Sequence, residues 1–533
     1  VKQRSRFGQE LSELQRDRDF AGRRWIYVPY DQLNDGFGPL GSLEPGKAGL
    51  LLIEAPGKAA RRPYHRQKLA LVLANQRHFA LEQAARGVAV EYRVAGDGGY
   101  AEVVRQVASE RGPLLVQEPA ERELREDLRP LLGHQLSQVP HSGWLTTTAH
   151  FEHAAPKGPP YRMDSFYRCV RRELDVLMQG DKPRGGRFSF DSENRKPYRG
   201  EPPAPEPLRF SPDAITREVG ELIERRYAQH PGQLDLEALP ATRADAERQL
   251  RWALTSCLPT FGPFEDAMTT ASSGLFHTRL SPLINLHRLL PSVVLEQVLS
   301  APLPLASQEG FVRQVLGWRE FVRHVHRATD GFRKLPAGVA GEPSAPSALG
   351  AARPLPPAYW GERSGLACLD HVVADVWREA YSHHITRLMV LGNLASLLDL
   401  SPRELTDWFW VAYVDAYDWV VEPNVLAMGT YAVGDLMTTK PYVSGAAYIQ
   451  RMSDYCRSCS FDPKHNCPIT SLYWGFLARH EPQLADNQRL AVPLAALRRR
   501  PDARRAHDAL VFRAVSERLA RGEVLTPADL PEP

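Results

Sequence analysis

Short apolar runs alternate with helix-length stretches from about residue 24 to residue 145, and the alternation then stops. The runs are Trp25-Ile-Tyr-Val28, Leu50-Leu-Leu-Ile53, Val88 to Val94 and Leu114-Leu-Val-Gln117. A helix-like stretch from about His65 to Arg86 separates the second from the third. Strands this apolar, joined through helices, predict a parallel sheet covered on both faces. The expectation for 24–145 is therefore a Rossmann-like α/β domain. No Gly-x-Gly-x-x-Gly follows the first run, so a standard dinucleotide site is not indicated.

Residues 146–210 are rich in Pro, Gly and Arg, with one helix-like piece at Met163–Met178, and read as a connector. From about residue 211 the chain predicts helix after helix. Thr242 with Asp245 starts one, and Ser401-Pro402-Arg403-Glu404 reads as a capping box with Pro at the first helical position. Pro336–Pro357 reads as a loop. The expected division is an extension (1–23), an α/β domain (24–145), a linker (146–210) and an all-α domain (211–533). At 533 residues several domains are the reasonable prior. No apolar run approaches the roughly 18–20 residues that span a bilayer. The basic N-terminal residues precede no apolar stretch. A cytoplasmic monomer with no membrane partner is expected. The net charge of +3 neither demands nor excludes nucleic acid.

Half of the six cysteines fall in one short segment, at Cys456, Cys459 and Cys467. A Cys-x-x-Cys pair with a third thiol eight positions on suits zinc or an iron–sulfur cluster. Clustered cysteines at metal spacing argue for a reducing compartment. The fourth ligand is either His465 or Cys368. Cys169 and Cys257 sit in apolar, helix-like settings and read as small buried hydrophobes.

Three further patterns could carry chemistry. His383 and His384 lie in Tyr381-Ser-His-His-Ile-Thr-Arg-Leu-Met389, inside a predicted helix from about 370 to 398. Adjacent residues point about 100° apart there, so both cannot face one ligand equally. Histidine suits proton exchange near neutrality. Leu275 to Asn285 places a His, hydroxyls and Ser281-Pro282 at a helix start, which offers free N–H groups to a phosphate. The helical half also holds many aromatics, among them Trp318, Trp360, Trp377, Trp408, Trp410, Trp419 and Trp474, read mainly as core.

Taken together, these motifs resemble a known family. Thr278-Arg-Leu-Ser-Pro-Leu, Gly317-Trp-Arg-Glu-Phe321, Asp415-Ala-Tyr-Asp-Trp-Val-Val-Glu-Pro-Asn424, His-His-Ile-x-Arg-Leu-Met, Thr439-Lys-Pro-Tyr442 and Arg451-Met-Ser-Asp-Tyr-Cys-x-x-Cys459 are similar to those of the iron–sulfur bacterial cryptochromes and photolyases. These are also called prokaryotic (6-4) photolyases. The resemblance runs from about Trp25 to about Leu490. It implies an N-terminal α/β domain and an all-α domain holding FAD. It implies a four-iron–four-sulfur cluster on Cys368, Cys456, Cys459 and Cys467, and Mg2+ as an accessory ion. His277, Thr278, Leu280, Ser281, Ile284, Arg319, Arg387, Asn393 and Asp415 would line the flavin. His384 would be the proton donor, with His383 and Tyr442 at the lesion and Trp408 and Trp360 as electron relays. The implied partner is damaged DNA.

The chain also departs from the family pattern. Lys58 and Arg61 replace an acid and an aromatic that would hold a lumazine antenna, so FAD with little lumazine is expected. Phe409, which cannot lose a proton after oxidation, stands where a Tyr relay is frequent, and whether Trp410 compensates stays open. His287 replaces a glycine after the phosphate turn, and Val421 a frequent acid. Three activities stay open at this point: light-driven repair of (6-4) photoproducts, blue-light sensing without repair, and, from the cysteines alone, an iron–sulfur nucleic-acid binder resembling the large subunit of primase.

Overall fold

The computed structural model describes residues 5–336 and 341–532. Strands β1 (Arg24–Tyr27), β2 (Ala48–Glu54), β3 (Ala89–Val94), β4 (Leu114–Gln117) and β5 (Leu136–Val139) form one parallel sheet in the order β3-β2-β1-β4-β5. The first four are the predicted runs. The fifth, Leu-Ser-Gln-Val, is an edge strand with Ser137 and Gln138 exposed, so it carried no apolar signal.

The apolar runs follow from burial on both faces. Trp25, Tyr27, Leu51 and Ile53 point to one core, and Ile26, Val28, Leu50 and Leu52 to another. A period of two with a core on each side leaves no polar position. The helix Arg66–Ala85 packs on β2, β3 and the helices Arg6–Leu14 and Ala214–Arg226. Its N-cap is His65, whose side chain accepts from Gln67 N. The N-terminal extension joins the second core through Phe7 and Leu11.

Beyond residue 211 the strands among the described residues are one two-residue pair, Gly341–Glu342 with Ala345–Pro346. Part of the predicted Pro336–Pro357 loop, 337–340, lies outside the described residues. The segment 146–210 holds two helices, not one: Thr148–Ala154 and Met163–Glu173, packed together. The second stops short of Met178 because Asp175 and Leu177 turn left-handed, at φ 52° and 53°.

Thr242 and Asp245 form the predicted capping box. At the other, Ser401 accepts from Glu404 N, but the Glu404 carboxylate accepts from Leu355 N, so it is a cap without the reciprocal bond. One core runs through the sheet and the helical half together. Leu33 N donates to Leu286 O at 2.9 Å and His65 N to Val411 O at 2.8 Å. These bonds seat the carboxyl ends of β1 and β2 on the helices that build the site.

Candidate active site

The turn before the helix Ser281–Asn285 is shaped by two left-handed residues, Leu275 (φ 43°) and Arg279 (φ 53°). Side chains rarely accept this backbone. Here Arg279 is held by Ser273 Oγ and Glu379 Oε2, each at 2.7 Å, and lies over the Tyr381 ring at 4.5 Å. The Thr278 carbonyl accepts from Gln249 Nε2 at 3.0 Å. Ser281 is not the predicted cap: its Oγ donates to Asp415 Oδ2 at 2.7 Å. The helix starts at Ser281 itself, with Leu280 in the cap position, so the hydroxyl is free to point at Asp415.

Asp415 joins the distant parts of this site. Arg387 grips it with two hydrogen bonds of 3.0 Å each. Arg387 Nε donates to Ser382 O at 2.8 Å, and the guanidinium lies 4.0 Å from the Tyr413 ring centre. Asn285 Nδ2 donates to the Asp415 carbonyl at 2.9 Å, and Arg319 Nε to Asn285 Oδ1 at 3.2 Å. Burial pushes the Asp415 carboxyl up, but the Arg387 charge and hydrogen bonds outweigh it and hold the group below the usual carboxylate range. Leu280 and Ile284 are buried beside this network. Asn393 exchanges hydrogen bonds of 3.1 and 2.9 Å with the Ser444 backbone. That tie anchors the segment carrying Tyr442, whose hydroxyl is pushed up by burial and then by Asp191.

The histidines correct the predicted helix over 370–398. The helix Ala367–Glu379 ends at Ala380 (φ 52°), and helix resumes only at His384. His383 is the N-cap residue of the new helix, so the two rings leave in unrelated directions. His383 stacks on His277 with ring centres 4.5 Å apart and planes 8° off parallel, while His384 meets His277 edge-on at 5.3 Å. The three rings bring one nitrogen each within 4.8 Å of the others. His277 Nε2 lies 3.1 Å from Glu265 O. Burial first, and the neighbouring rings next, hold His277 and His383 well below the ordinary histidine range. The His384 side chain is 41% exposed, and its Nε2 lies 3.6 Å from Asp266 Oδ1.

A file of aromatic rings connects this site to the surface. Trp360, 45% exposed, stacks on Trp377 at 5.6 Å. Trp377 meets Trp408 edge-on at 6.0 Å, and Trp408 meets Tyr413 at 6.0 Å. Both inner indole N–H groups donate to the Tyr359 carbonyl, at 3.0 and 2.9 Å. Trp377 is the member that reading it as core missed; only the fold puts it between two tryptophans far from each other in sequence. Phe409 stacks flat on Tyr413 at 5.3 Å. Trp410 faces away and lies 4.2 Å from Arg62, so it does not stand in at position 409.

Cys368, at the start of the helix Ala367–Glu379, lines one apolar cavity with Cys456, Cys459 and Cys467, among Leu366, Ile449, Phe461 and Ile469. Of the two candidates for a fourth ligand, the cavity contains Cys368. No three of these sulfurs lie within 4.8 Å of one another. All four are free thiols, and burial pushes Cys456 up to about 11 and Cys467 to about 12. Cys257 is buried as predicted. Cys169 is half-buried, and its thiol donates to Glu173.

A second cavity, of about 90 Å³, lies where the carboxyl ends of β1 and β4 meet the helical half. In open α/β sheets this reversal of strand order is where ligands bind. Tyr30, Tyr64, Tyr100, Trp410 and Tyr417 line it with Lys58 and Glu121. Lys58 and Glu121 form an ion pair inside it, closed by the Tyr30 hydroxyl. His287, where a glycine was expected, does adopt the left-handed backbone (φ 57°), with its Nδ1 2.6 Å from Asp31 O.

Known proteins resemble this chain. The family described as "Deoxyribodipyrimidine photo-lyase-related protein" matches residues 26–238. A protein of Agrobacterium fabrum named (6-4) photolyase is 34% identical over 489 residues, 88% of this chain and 94% of that protein. The crystal structure of a bacterial class III photolyase from Agrobacterium tumefaciens superposes with a TM-score of 0.50 at 14% identity, covering 97% of this chain and 95% of that one. That superposition supports the fold, and the sequence relative the family: the chain belongs to the photolyase/cryptochrome superfamily.

Proposed function

We propose that the protein repairs (6-4) pyrimidine photoproducts in DNA in a light-driven reaction that uses FAD, with His384 as the proton donor to the lesion. The observation that carries this reading is the histidine trio beside the Arg387–Asp415 pair. Two rings are buried and held neutral, and one reaches solvent. The name of the Agrobacterium fabrum relative points the same way.

The residues fit a polar ligand of the flavin kind. His383 Nδ1 and Ser444 Oγ are buried without a hydrogen-bond partner, and orphaned groups of this kind call for one. Bound FAD, reduced and excited by blue light, supplies a single electron. The chain's own residues do the rest. Arg387, Ser281 and Asn285 immobilise Asp415 in its charged form. His277, stacked flat, fixes the orientation of His383. His384 exchanges a proton at Nε2, with the Asp266 carboxylate placed to pair with the charged ring. A (6-4) lesion is already unstacked, so turning it out of the duplex toward His384 costs only about a few kcal/mol. Trp360, Trp377 and Trp408 form the path by which electrons enter from the surface.

We assign the four cysteines to a four-iron–four-sulfur cluster. Four cysteines suit zinc or an iron–sulfur cluster, and the resemblance to the iron–sulfur bacterial cryptochromes and photolyases favours the cluster. The cluster would tie the helix Ala367–Glu379 to the segment 456–467. The residues at the second cavity do not fit a lumazine: the Lys58–Glu121 pair occupies its polar end, and about 90 Å³ falls below the roughly 300 Å³ of small-molecule pockets. Extraction should yield FAD without lumazine.

The test is blue light on the purified, reduced protein with Mg2+ and an oligonucleotide carrying one (6-4) lesion. Restored thymines are expected from wild type. His384→Ala should keep its FAD and lose about 10²–10⁴-fold in repair, the span of a general acid. Absence of repair by wild type overturns the reading.

A further inference from the structure

We propose that His153, Cys169 and Glu173 form a divalent transition-metal site, zinc by the chemistry of its donors, clasping the two helices of the 146–210 segment. The three donor atoms lie within 4.8 Å of one another. Cys169 Sγ is 3.2 Å from Glu173 Oε1 and 3.8 Å from His153 Nδ1, and His153 Nδ1 is in direct contact with the same carboxylate. Zinc bound at about 2.3 Å to sulfur and about 2.0–2.2 Å to nitrogen and oxygen sets its donors roughly 3.3–3.6 Å apart. The two sides that meet at Cys169 Sγ, 3.2 and 3.8 Å, bracket that size, and the metal would enter by opening the shorter His153–Glu173 side.

Local sequence explains why the donors converge. His150 and His153 are three apart on the helix Thr148–Ala154, and Cys169 and Glu173 four apart on the helix Met163–Glu173. Each pair therefore lies on one helix face, and the two helices pack together.

His150 plays a different part. Its Nδ1 accepts from Thr147 N at 2.9 Å, which leaves the proton on Nε2, 3.5 Å from Glu173 Oε2. It thus faces the carboxylate oxygen that the metal does not use, the usual way a neighbouring group orients a ligand. The fourth position opens to solvent beside His153, whose side chain is 73% exposed, and takes a water.

The exchange balances without a redox partner. In the metal-free protein the Cys169 thiol and His153 Nδ1–H both donate hydrogen bonds to Glu173. On metal binding neutral His153 carries its proton on Nε2, which frees the Nδ1 lone pair, and the thiol proton goes to solvent as the metal–sulfur bond forms, one proton in all. Mixed sulfur, nitrogen and carboxylate donors suit zinc rather than magnesium or calcium.

The test is equilibrium dialysis of the EDTA-washed holoprotein against micromolar ZnCl2, with zinc and iron counted in the same sample. Wild type should take up one zinc per chain at unchanged iron. Zinc K-edge absorption should show one sulfur at about 2.3 Å and lighter donors at about 2.0–2.2 Å. Cys169→Ala and His153→Ala should abolish that uptake while flavin and iron stay constant, and His150→Ala should weaken it about 10-fold. Equal zinc in wild type and Cys169→Ala, or a wild-type zinc shell without sulfur, overturns the proposal.

Discussion

Arg387–Asp415 and Lys58–Glu121 are ion pairs whose carboxylates are almost wholly buried, yet their remaining hydrogen bonds lead in opposite directions. Asp415 also binds Ser281 and Asn285, so its charge gathers the turn, the helix after it and Arg319 into one site. Lys58 and Glu121 close on each other and on Tyr30. Burying two charges is stabilising only when the other lone pairs and protons are satisfied. The first pair is satisfied by the elements that build the proposed flavin site. The second is satisfied by itself, at a place in the sheet where a ligand could have been.

The comparison should break most visibly at Asp415. Asp415→Asn leaves the Arg387 charge buried, and is expected to cost about 3–5 kcal/mol in urea unfolding together with retained FAD. Glu121→Gln should cost about the same in unfolding but leave FAD content unchanged. The double replacement Lys58→Met with Glu121→Leu should then be neutral or stabilising by about 1–4 kcal/mol. If the double variant lost FAD, the two pairs would not be separable.

pH separates the regions next. His277 and His383 are depressed by burial, and at the sheet interface His287 falls to about 3. A fold that keeps such rings neutral has their full contribution above about pH 6.5 and loses it as pH falls toward the folded values. The loss is roughly 1.4 kcal/mol per pH unit for each ring. Asp415, also depressed, has its contribution above about pH 3.9, so its loss comes later. Lys58 is raised: burial lowers it, but Glu121 outweighs that. Its contribution is complete below about pH 10.4 and is lost only as pH rises through the folded value. Denaturant midpoints should therefore drop from pH 7 to pH 5.

The smallest effect concerns the aromatic file. Trp377→Phe should slow light-driven reduction of oxidised FAD about 10-fold or more, read by absorbance. Repair by protein reduced beforehand should be unchanged.

The three inner strands β1, β2 and β4 were legible because a run buried on both faces is nearly continuous in apolar residues, and the edge strand β3 because its first half is buried. The edge strand β5 was not, since half of it faces water. Thr242 announced its helix because a capping box is local. Ser281 misled because the helix begins one residue early, at Ser281, and the partner of its hydroxyl, Asp415, is 134 residues away. The histidine pair was visible as a motif, but its geometry was not: the helix breaks at left-handed Ala380 and restarts at His384, which leaves His383 buried at the cap and His384 half-exposed in the new helix. Trp377, Glu121 and Cys169 have meaning only through neighbours distant in the chain or on the next helix.

Local order alone therefore determined the α/β-then-helical architecture, the cysteine trio and the residues able to carry chemistry, because strand periodicity, capping and metal-ligand spacing are short-range. Which of those residues meet was decided by tertiary packing. Burial turns a carboxylate into an anchor and a lysine into a plug, and of two adjacent histidines it takes one and leaves the other open to solvent; burial is a property of the whole fold.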